Sequence, residues 1–146
     1  MVDYDPALLE RVFEAEGRLL VTAEMIRNFC AATGDSNPLY NDAEAARRGP
    51  YKGLVAPPAF AAGIRDIDNI FRQIPDTGRR LAAGMEVEFI TPIRAGDSIA
   101  VSSRIKEIYE KTGRTGTMTF MVIRATLKNQ NGDVVAHIDH RFVNRS

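Results

Sequence analysis

The chain has 146 residues, 45% of them hydrophobic and 26% charged, which predicts a single globular domain over residues 1–146 rather than a disordered segment. Its 19 basic and 19 acidic residues give a formal net charge of zero, which disfavours a nucleic-acid-binding protein and a protein held on an anionic membrane by charge. One cysteine and two histidines exclude an internal disulfide and the usual zinc spacings. No apolar run reaches the ~20 residues of a membrane span, and the first six residues are polar and acidic, so we expect a cytoplasmic protein.

The first part of the chain predicts an interrupted strand and then a helix. Residues 12–21 have the composition of a strand, with a break at Gly17. Thr22 is a natural N-cap for an amphipathic helix over 23–33, in which apolar residues recur at helical spacing. Gly34 is a suitable C-terminal stop for this helix.

The next part predicts a turn and two further helices. Residues 35–42 are rich in turn formers, and Asp42 can cap a short helix over 43–48. Pro58 suits the first position of a helix, where no amide hydrogen is missed. From there apolar residues repeat at intervals of three and four, which predicts the longest helix of the chain, over 58–73.

The second half predicts strands over 81–90, 98–110, 117–128 and 133–144, with a hairpin turn at 129–132. The last three, joined by short turns, form an antiparallel meander. A long helix with one apolar face needs a sheet to cover it, so the fold class is α+β, with a curved antiparallel sheet wrapped around one long central helix. The hot-dog fold has this arrangement, although periodicity alone does not select its topology.

The segment 29–42, FCAATGDSNPLYND, resembles the hydratase motif of the MaoC-like family, which includes (R)-specific enoyl-CoA hydratases and 3-hydroxyacyl-thioester dehydratases. Segments 53–60, 92–97 and 129–136 are similar to that family's entry into the central helix, a turn between strands and the last hairpin. The resemblance covers about residues 12–143. It implies a hot-dog lyase that acts on acyl thioesters of coenzyme A or acyl carrier protein, without a metal or other cofactor, as a homodimer or a heterodimer with another MaoC-like subunit.

The family's chemistry uses an Asp, and a His five residues later, around one water that is added to or removed from an enoyl thioester. Asp35 matches the family aspartate, but the position five residues on is Tyr40. A phenol with an unperturbed pKa of ~10 is a less efficient base near neutral pH than an imidazole with a pKa of ~6.5. The missing histidine therefore predicts weak activity for the chain alone.

The helix-entry loop is a second departure. Active members carry His-Gly where this chain has Pro57 and Pro58, and a proline has no amide hydrogen to donate to the thioester oxyanion. The amides of Ala59 or Phe60 are the remaining candidates. The sequence most resembles amino-terminal MaoC-type dehydratase domains with a Pro-Pro loop. This resemblance implies that a paired hot-dog domain or subunit often holds the Asp and His, while the domain with the Pro-Pro loop helps to bind substrate.

Each candidate side chain also has a structural alternative. Asp35 is either a catalytic acid or base or a brace for its turn, and Asn37 either orders a water or substrate or braces the loop before Pro38. Tyr40 either hydrogen-bonds a thioester carbonyl or Asp35, or is a buried tyrosine satisfied by backbone. The same choice between acyl tunnel and ordinary core applies to the apolar face of the central helix: Phe60, Ile64, Ile67 and Phe71.

The remaining polar candidates carry weaker signals. His137 and His140 lie an odd number of residues apart on the last strand, so they face opposite sides and cannot jointly bind one metal. Cys30 is expected in the core. Three basic residues near the loop either contact the phosphates of coenzyme A or form a solvated surface: Arg47, Arg48 and Lys52.

These features leave three hypotheses for function. The first is a hydratase/dehydratase subunit that needs a partner with the Asp/His pair. The second is a self-sufficient homodimeric hydratase that uses Asp35 with Tyr40 or a water. The third is a non-catalytic acyl-thioester-binding hot dog.

Overall fold

The computed structural model describes residues 3–74 and 79–145. The helices are α1 (Ala23–Thr33), α2 (Pro38–Asn41), α3 (Ala43–Arg48) and α4 (Asp68–Phe71), with 3-10 helices at Pro6–Glu10 and Pro58–Gly63. The strands are β1 (Phe13–Glu14), β2 (Leu19–Leu20), β3 (Arg79–Phe89), β4 (Ser98–Gly113), β5 (Gly116–Lys128) and β6 (Val134–Arg145). No helix within the described ranges is long and apolar enough to cross a membrane.

The predicted ends of α1 are confirmed. The side chain of Thr22 accepts a hydrogen bond from the amide of Met25 at 3.1 Å, and Gly34 closes the helix at φ 71° with its N–H donated to the Cys30 carbonyl. A φ in the left-handed region suits glycine, which has no Cβ to clash. The strand predicted before this helix is present as the two short pieces β1 and β2, and Gly17 at φ 71° lies between them.

The cap of α3 is also as predicted. One carboxylate oxygen of Asp42 accepts hydrogen bonds from the amides of Glu44 and Ala45, each at 3.0 Å. We expect Asp42→Ala to lower the free energy of unfolding by about 1 kcal/mol, because two amides of the first turn lose their acceptor. Urea unfolding measures the change. Asp133→Ala is the matched control, since no side-chain hydrogen bond of Asp133 is found among the described residues, and an equal loss in both variants would contradict the assignment.

The prediction of one continuous helix over 58–73 is wrong. A 3-10 helix ends at Gly63, the backbone is extended at Ile64, and the helix resumes only for the single turn of α4. Glycine and β-branched residues at the break have low helix propensity. The carbonyl of Asp66 accepts a hydrogen bond from the Ser103 hydroxyl at 2.9 Å. The sheet thereby supplies the donor that a backbone amide would supply in a continuous helix. Ile67 is nevertheless buried, as the apolar pattern predicted.

The sheet is antiparallel, in the order β1-β4-β5-β6-β3, and β2 also pairs with β4. The predicted meander of β4, β5 and β6 is confirmed, although β4 continues three residues beyond its predicted end. Asn129 holds the predicted hairpin turn by accepting from the amides of Asn131 and Asp133. Register shifts in β3 and β4 increase the local bend of the sheet, as β-bulges do.

The core lies between the curved sheet and the elements that cross it. One cluster joins α1 and the 3-10 helix at Pro58–Gly63 to the sheet, and contains Ile26, Cys30, Phe60, Ile99 and Ile138. A second cluster packs Ile67 and α4 against the other end of β4 and β5. Cys30 has no exposed surface, which confirms its expected place in the core. The observed architecture is therefore the predicted α+β layer, with an interrupted helix instead of a regular one.

Candidate functional site

The segment from Asp35 to Asn41 is held by hydrogen bonds among its own side chains. The carboxylate of Asp35 accepts from the amide of Asn37 at 3.0 Å, and the side-chain oxygen of Asn37 accepts from the amide of Leu39 at 3.0 Å. The side-chain amide of Asn41 donates to the carbonyls of Asp35 and Asn37, each at 3.0 Å. Asp35 and Asn37 thus brace the turn, and Asp35 keeps a second carboxylate oxygen to which no described residue donates.

Tyr40 is half-buried against the main core cluster. Burial raises the pKa of its phenol, and the nearby carboxylate of Asp35 raises that pKa further, followed by smaller effects of Cys30 and Tyr51. The phenol is therefore neutral near pH 7 and is a hydrogen-bond donor rather than a base. Within residues 3–74 and 79–145 no hydrogen bond of its hydroxyl is found.

The Pro57-Pro58 loop is tied directly to this segment. The amide of Val55 donates to the carbonyl of Leu39 at 3.2 Å, next to Tyr40 in α2. The ring of Phe60 meets that of Phe29 edge to face, with centroids 5.6 Å apart. The tertiary structure thus places Leu39 beside Val55, two residues before the Pro57-Pro58 pair.

The two candidate oxyanion donors differ in the structure. The amide of Phe60 donates to the carbonyl of Pro57 at 2.9 Å, so its hydrogen is already used. The amide of Ala59 has no acceptor among the described residues, and Ala59 is exposed. Of the two amides, Ala59 is therefore the one available to a thioester oxygen.

The family follows from comparison with known proteins. Residues 8–138 match the family model described as FAS1-like, dehydratase domain region. The chain belongs to this family. The MaoC-like resemblance of the sequence is thereby confirmed, and the α+β structure with its curved sheet is the hot-dog fold shared with solved hydratases and dehydratases.

The similar proteins include UPF0336 proteins and proteins that are named as hydratases or dehydratases. A UPF0336 protein of Streptomyces griseus is 29% identical over 97% of this chain and 95% of its own length. A probable enoyl-CoA hydratase alpha subunit of Thermomonospora curvata is 30% identical over 80% of this chain and 42% of its own length. The C-terminally truncated HadBC (3R-hydroxyacyl-ACP dehydratase) complex of Mycobacterium tuberculosis contains a chain of the same fold, with a TM-score of 0.76, 22% identity, and coverage of 92% of this chain and 95% of that one.

Sequence reasoning missed two residues that shape this MaoC-like site. Asn41 holds the Asp35 turn through its side-chain amide, and only its place at the end of a run of turn formers could have indicated this role. Asp97 is buried, and its carboxylate accepts from the amide of Arg94 at 2.8 Å and from the side chain of Gln130 at 3.0 Å. Asp97 thereby fixes the 92–97 turn beside the Pro57-Pro58 loop.

The other candidate residues from the sequence lie away from the Pro57-Pro58 loop or on the protein surface near it. His137 hydrogen-bonds Thr126 at 3.1 Å and His140 is buried on the opposite face of β6, as their spacing predicted. In the part of the chain that the structure describes, no group of three His, Cys, Asp or Glu side chains is arranged to hold a metal. Of the three basic residues near the loop, Arg48 pairs with Glu44, while no ion pair of Arg47 or Lys52 is found in the described ranges.

We expect His140 to make the stability of this fold sensitive to mild acid. Burial lowers the pKa of its imidazole, the positive charge of Arg65 lowers it further, and Asp139 opposes them. The unfolded chain, with a histidine pKa of about 6.5, then binds more protons than the folded one below that pH. The free energy of unfolding should therefore fall as the pH drops from 7 to 5. His140→Phe should flatten this fall in urea unfolding while the matched variant His137→Phe keeps it, and a slope that His140→Phe leaves unchanged would contradict the assignment.

Proposed function

We propose that this chain is one subunit of a hydratase/dehydratase that acts on enoyl and 3-hydroxyacyl thioesters of coenzyme A or acyl carrier protein. The proposal includes a partner hot-dog subunit that carries the Asp and His pair. The observation that supports it is Tyr40, a phenol with a raised pKa five residues after Asp35, where the resemblance to the MaoC-like motif implies a histidine. Asp35 has no histidine to share a water with, and its carboxylate already braces the turn.

The role proposed for this chain is to bind and orient the thioester. The amide of Ala59 donates to the thioester oxygen, which gains negative charge as water adds to the double bond. In this proposal the Tyr40 hydroxyl and the Asn37 side chain also contact the substrate, and Phe60 supports the loop through its contact with Phe29. The partner supplies the general acid and base, and no metal or redox cofactor takes part.

The names of similar proteins support a heteromeric assembly. One relative is described as an alpha subunit, and one solved structure of the same fold is a two-component dehydratase complex. We extend that organisation to this chain as part of the proposal. A homodimer that uses Asp35, or a non-catalytic thioester-binding protein, would each give a different outcome in the test below.

The surface proposed for the partner is the free edge of β3. Among the described residues this strand is last in the sheet order and pairs only with β6. Three of its apolar side chains and the residue after it are at least half exposed: Leu81, Met85, Phe89 and Ile90. An exposed sheet edge with large apolar residues is a liability unless it is paired or covered. We propose that a strand of the partner continues the sheet here.

The decisive experiment is an enoyl-CoA hydration assay of the purified chain, alone and with a candidate partner that carries both Asp and His. Activity that appears only with the partner supports the proposal. Activity of the chain alone supports the homodimer, and thioester binding without activity in either case supports the non-catalytic function.

A further inference from the structure

The face of the sheet that points away from the core has an apolar centre. In β4, β5 and β6 the residues that line the core alternate with residues on the opposite face, which we call the outer face. Five apolar residues lie side by side there, three along β5 and one on each neighbouring strand: Met118, Phe120, Val122, Tyr109 and Val143. Among the described residues, none of these five belongs to either core cluster. We call them the outer patch.

The outer patch is a flat surface rather than a set of protruding side chains. Val122 is buried and the other four residues are half-buried. The rings of Tyr109 and Phe120 stack on each other at 6°, with centroids 5.0 Å apart. The ammonium of Lys111 lies 5.6 Å from the first centroid and 5.5 Å from the second. An apolar surface laid along the sheet would therefore cover the patch without displacing it.

Positive charge borders the outer patch. On the outer face, the residues directly beside Met118 and Val122 on the neighbouring strands are charged: Lys111 and Glu107 on β4, and Arg145 and Arg141 on β6. All four side chains are exposed, and in the part of the chain that the structure describes none of them forms an ion pair. Since the whole chain has no net charge, three cations against one carboxylate are a local excess.

These charges and this shape select the occupant of the patch. A second copy of this chain would repeat the excess of cations across the interface, and like charges that meet there are unfavourable. Nucleotide bases need open ring faces, whereas Tyr109 and Phe120 stack on each other. A membrane is bound by apolar side chains that reach into it, and these side chains are half-buried. The occupant that fits is a protein surface with apolar and acidic side chains.

A helix fits the outer patch along β5. A strand advances about 3.4 Å per residue, so Met118 and Val122 are roughly 14 Å apart, the length of about nine helical residues. Arg141 and Arg145 span a similar distance on β6, along one flank of such a helix. Acidic residues seven or eight positions apart lie on one flank of a helix, about 10–12 Å from each other. They therefore match the spacing of the two arginines.

We propose that the outer patch binds an amphipathic helix of another protein. Its apolar stripe lies on Phe120, and its acidic residues lie along the flank that faces Arg141 and Arg145. An apolar helix face that packs on a sheet is an ordinary way to bury both surfaces. The outer patch is separate from the free edge of β3. The inference does not rest on the proposed function, because no residue of the Asp35 segment or the Pro57-Pro58 loop takes part.

The test uses a synthetic peptide of about eighteen residues, with Leu at helical intervals of three and four and Glu elsewhere. We expect it to shift the backbone amide NMR signals of Phe120, Val122 and Val143, with a dissociation constant of about 10–100 μM at low salt. A peptide with Lys in place of every Glu is the matched control and should leave these signals unchanged. Added salt should weaken binding of the Glu peptide, since the flanking charges are exposed.

Charge reversal on β6 tests the proposed flank. Arg141→Glu/Arg145→Glu should weaken binding of the Glu peptide by at least about tenfold. Arg104→Glu/Lys128→Glu is the matched control, because both residues are exposed cations on the outer face away from the patch, and should stay within about twofold. Arg141→Gln/Arg145→Gln repeats the test if thermal unfolding shows that the double Glu variant is damaged.

Three results overturn the inference: equal weakening by the two Glu double variants, equal binding of the Lys and Glu peptides, or no amide shift with the Glu peptide. A single strand of about twenty thymidines and phosphatidylserine vesicles test the other anionic partners. If either binds more tightly than the Glu peptide and loses binding in Arg141→Glu/Arg145→Glu, the patch is not a helix-binding surface. If neither binds, the proposed occupant is supported.

Discussion

Hydration of a short enoyl-CoA by the purified chain alone should be at least about 10²-fold slower than by the chain with a partner that supplies the Asp and His, because general acid–base catalysis contributes about 10²–10⁴-fold. The physical reason is the state of Tyr40. Burial and the charge of Asp35 raise the pKa of its phenol, so it holds its proton near pH 7 and cannot accept one from water. Initial rates at fixed enzyme concentration, with and without the partner, measure the difference.

Asp35→Asn distinguishes the two catalytic hypotheses. Asparagine keeps the side-chain oxygen that accepts from the Asn37 amide, so the turn stays braced while the negative charge is lost. If the partner performs the chemistry, this variant should leave the rate of the assembled pair within about threefold. Tyr40→Phe is measured beside it. This variant removes the phenol hydroxyl, for which no hydrogen bond is found among the described residues. Turnover by the wild-type chain alone at a rate typical of enzymes, about 1–10³ per second, and its loss in Asp35→Asn would establish the self-sufficient homodimer.

Association should be lost when charge is placed on the edge of β3. We expect the double variant Met85→Lys/Phe89→Lys to weaken assembly by at least about 10²-fold, since burying each of two large apolar side chains is worth about 1.5–3 kcal/mol and a buried lysine is costly. Both residues are half exposed, so the isolated subunit should tolerate the change. Sedimentation velocity over a range of concentrations, with and without the partner, gives the dissociation constant.

Leu20→Lys is the matched control for the edge. Leu20 is a similarly exposed apolar residue, 59% accessible, but it lies on β2, which pairs with β4 rather than with β3. This variant should assemble like the wild type. A stable monomer of the wild type at micromolar concentration under both conditions, or equal disruption by Leu20→Lys, would refute the assignment of the β3 edge. Circular dichroism melting confirms that each variant is folded.

Some features of the candidate site depend on residue type alone, and others depend on the fold. The spacing from Asp35 to Tyr40 predicts a departure from the family motif, and the Pro57-Pro58 pair shows which amides cannot donate, because both depend on residue type alone. That the Phe60 amide is already bonded to Pro57, while Ala59 is not, depends on the 3-10 geometry of the loop. The packing of Tyr40 against the core cluster and the hydrogen bond from Gln130 to Asp97 needed the fold, since they join segments distant in sequence.

The sequence by itself determined the ends of α1 and α3 and the meander of the last three strands. Thr22, Gly34 and Asp42 act on amides and carbonyls within about five residues, and the turn at 129–132 joins strands that are neighbours in sequence. Only the tertiary structure decided the break in the long helix and the place of β3 at the free edge. Apolar spacing shows that Ile64 and Ile67 must be buried, but it does not show which backbone geometry buries them. The break depends on a hydrogen bond from Ser103 on a distant strand, and the position of β3 depends on its pairing with β6.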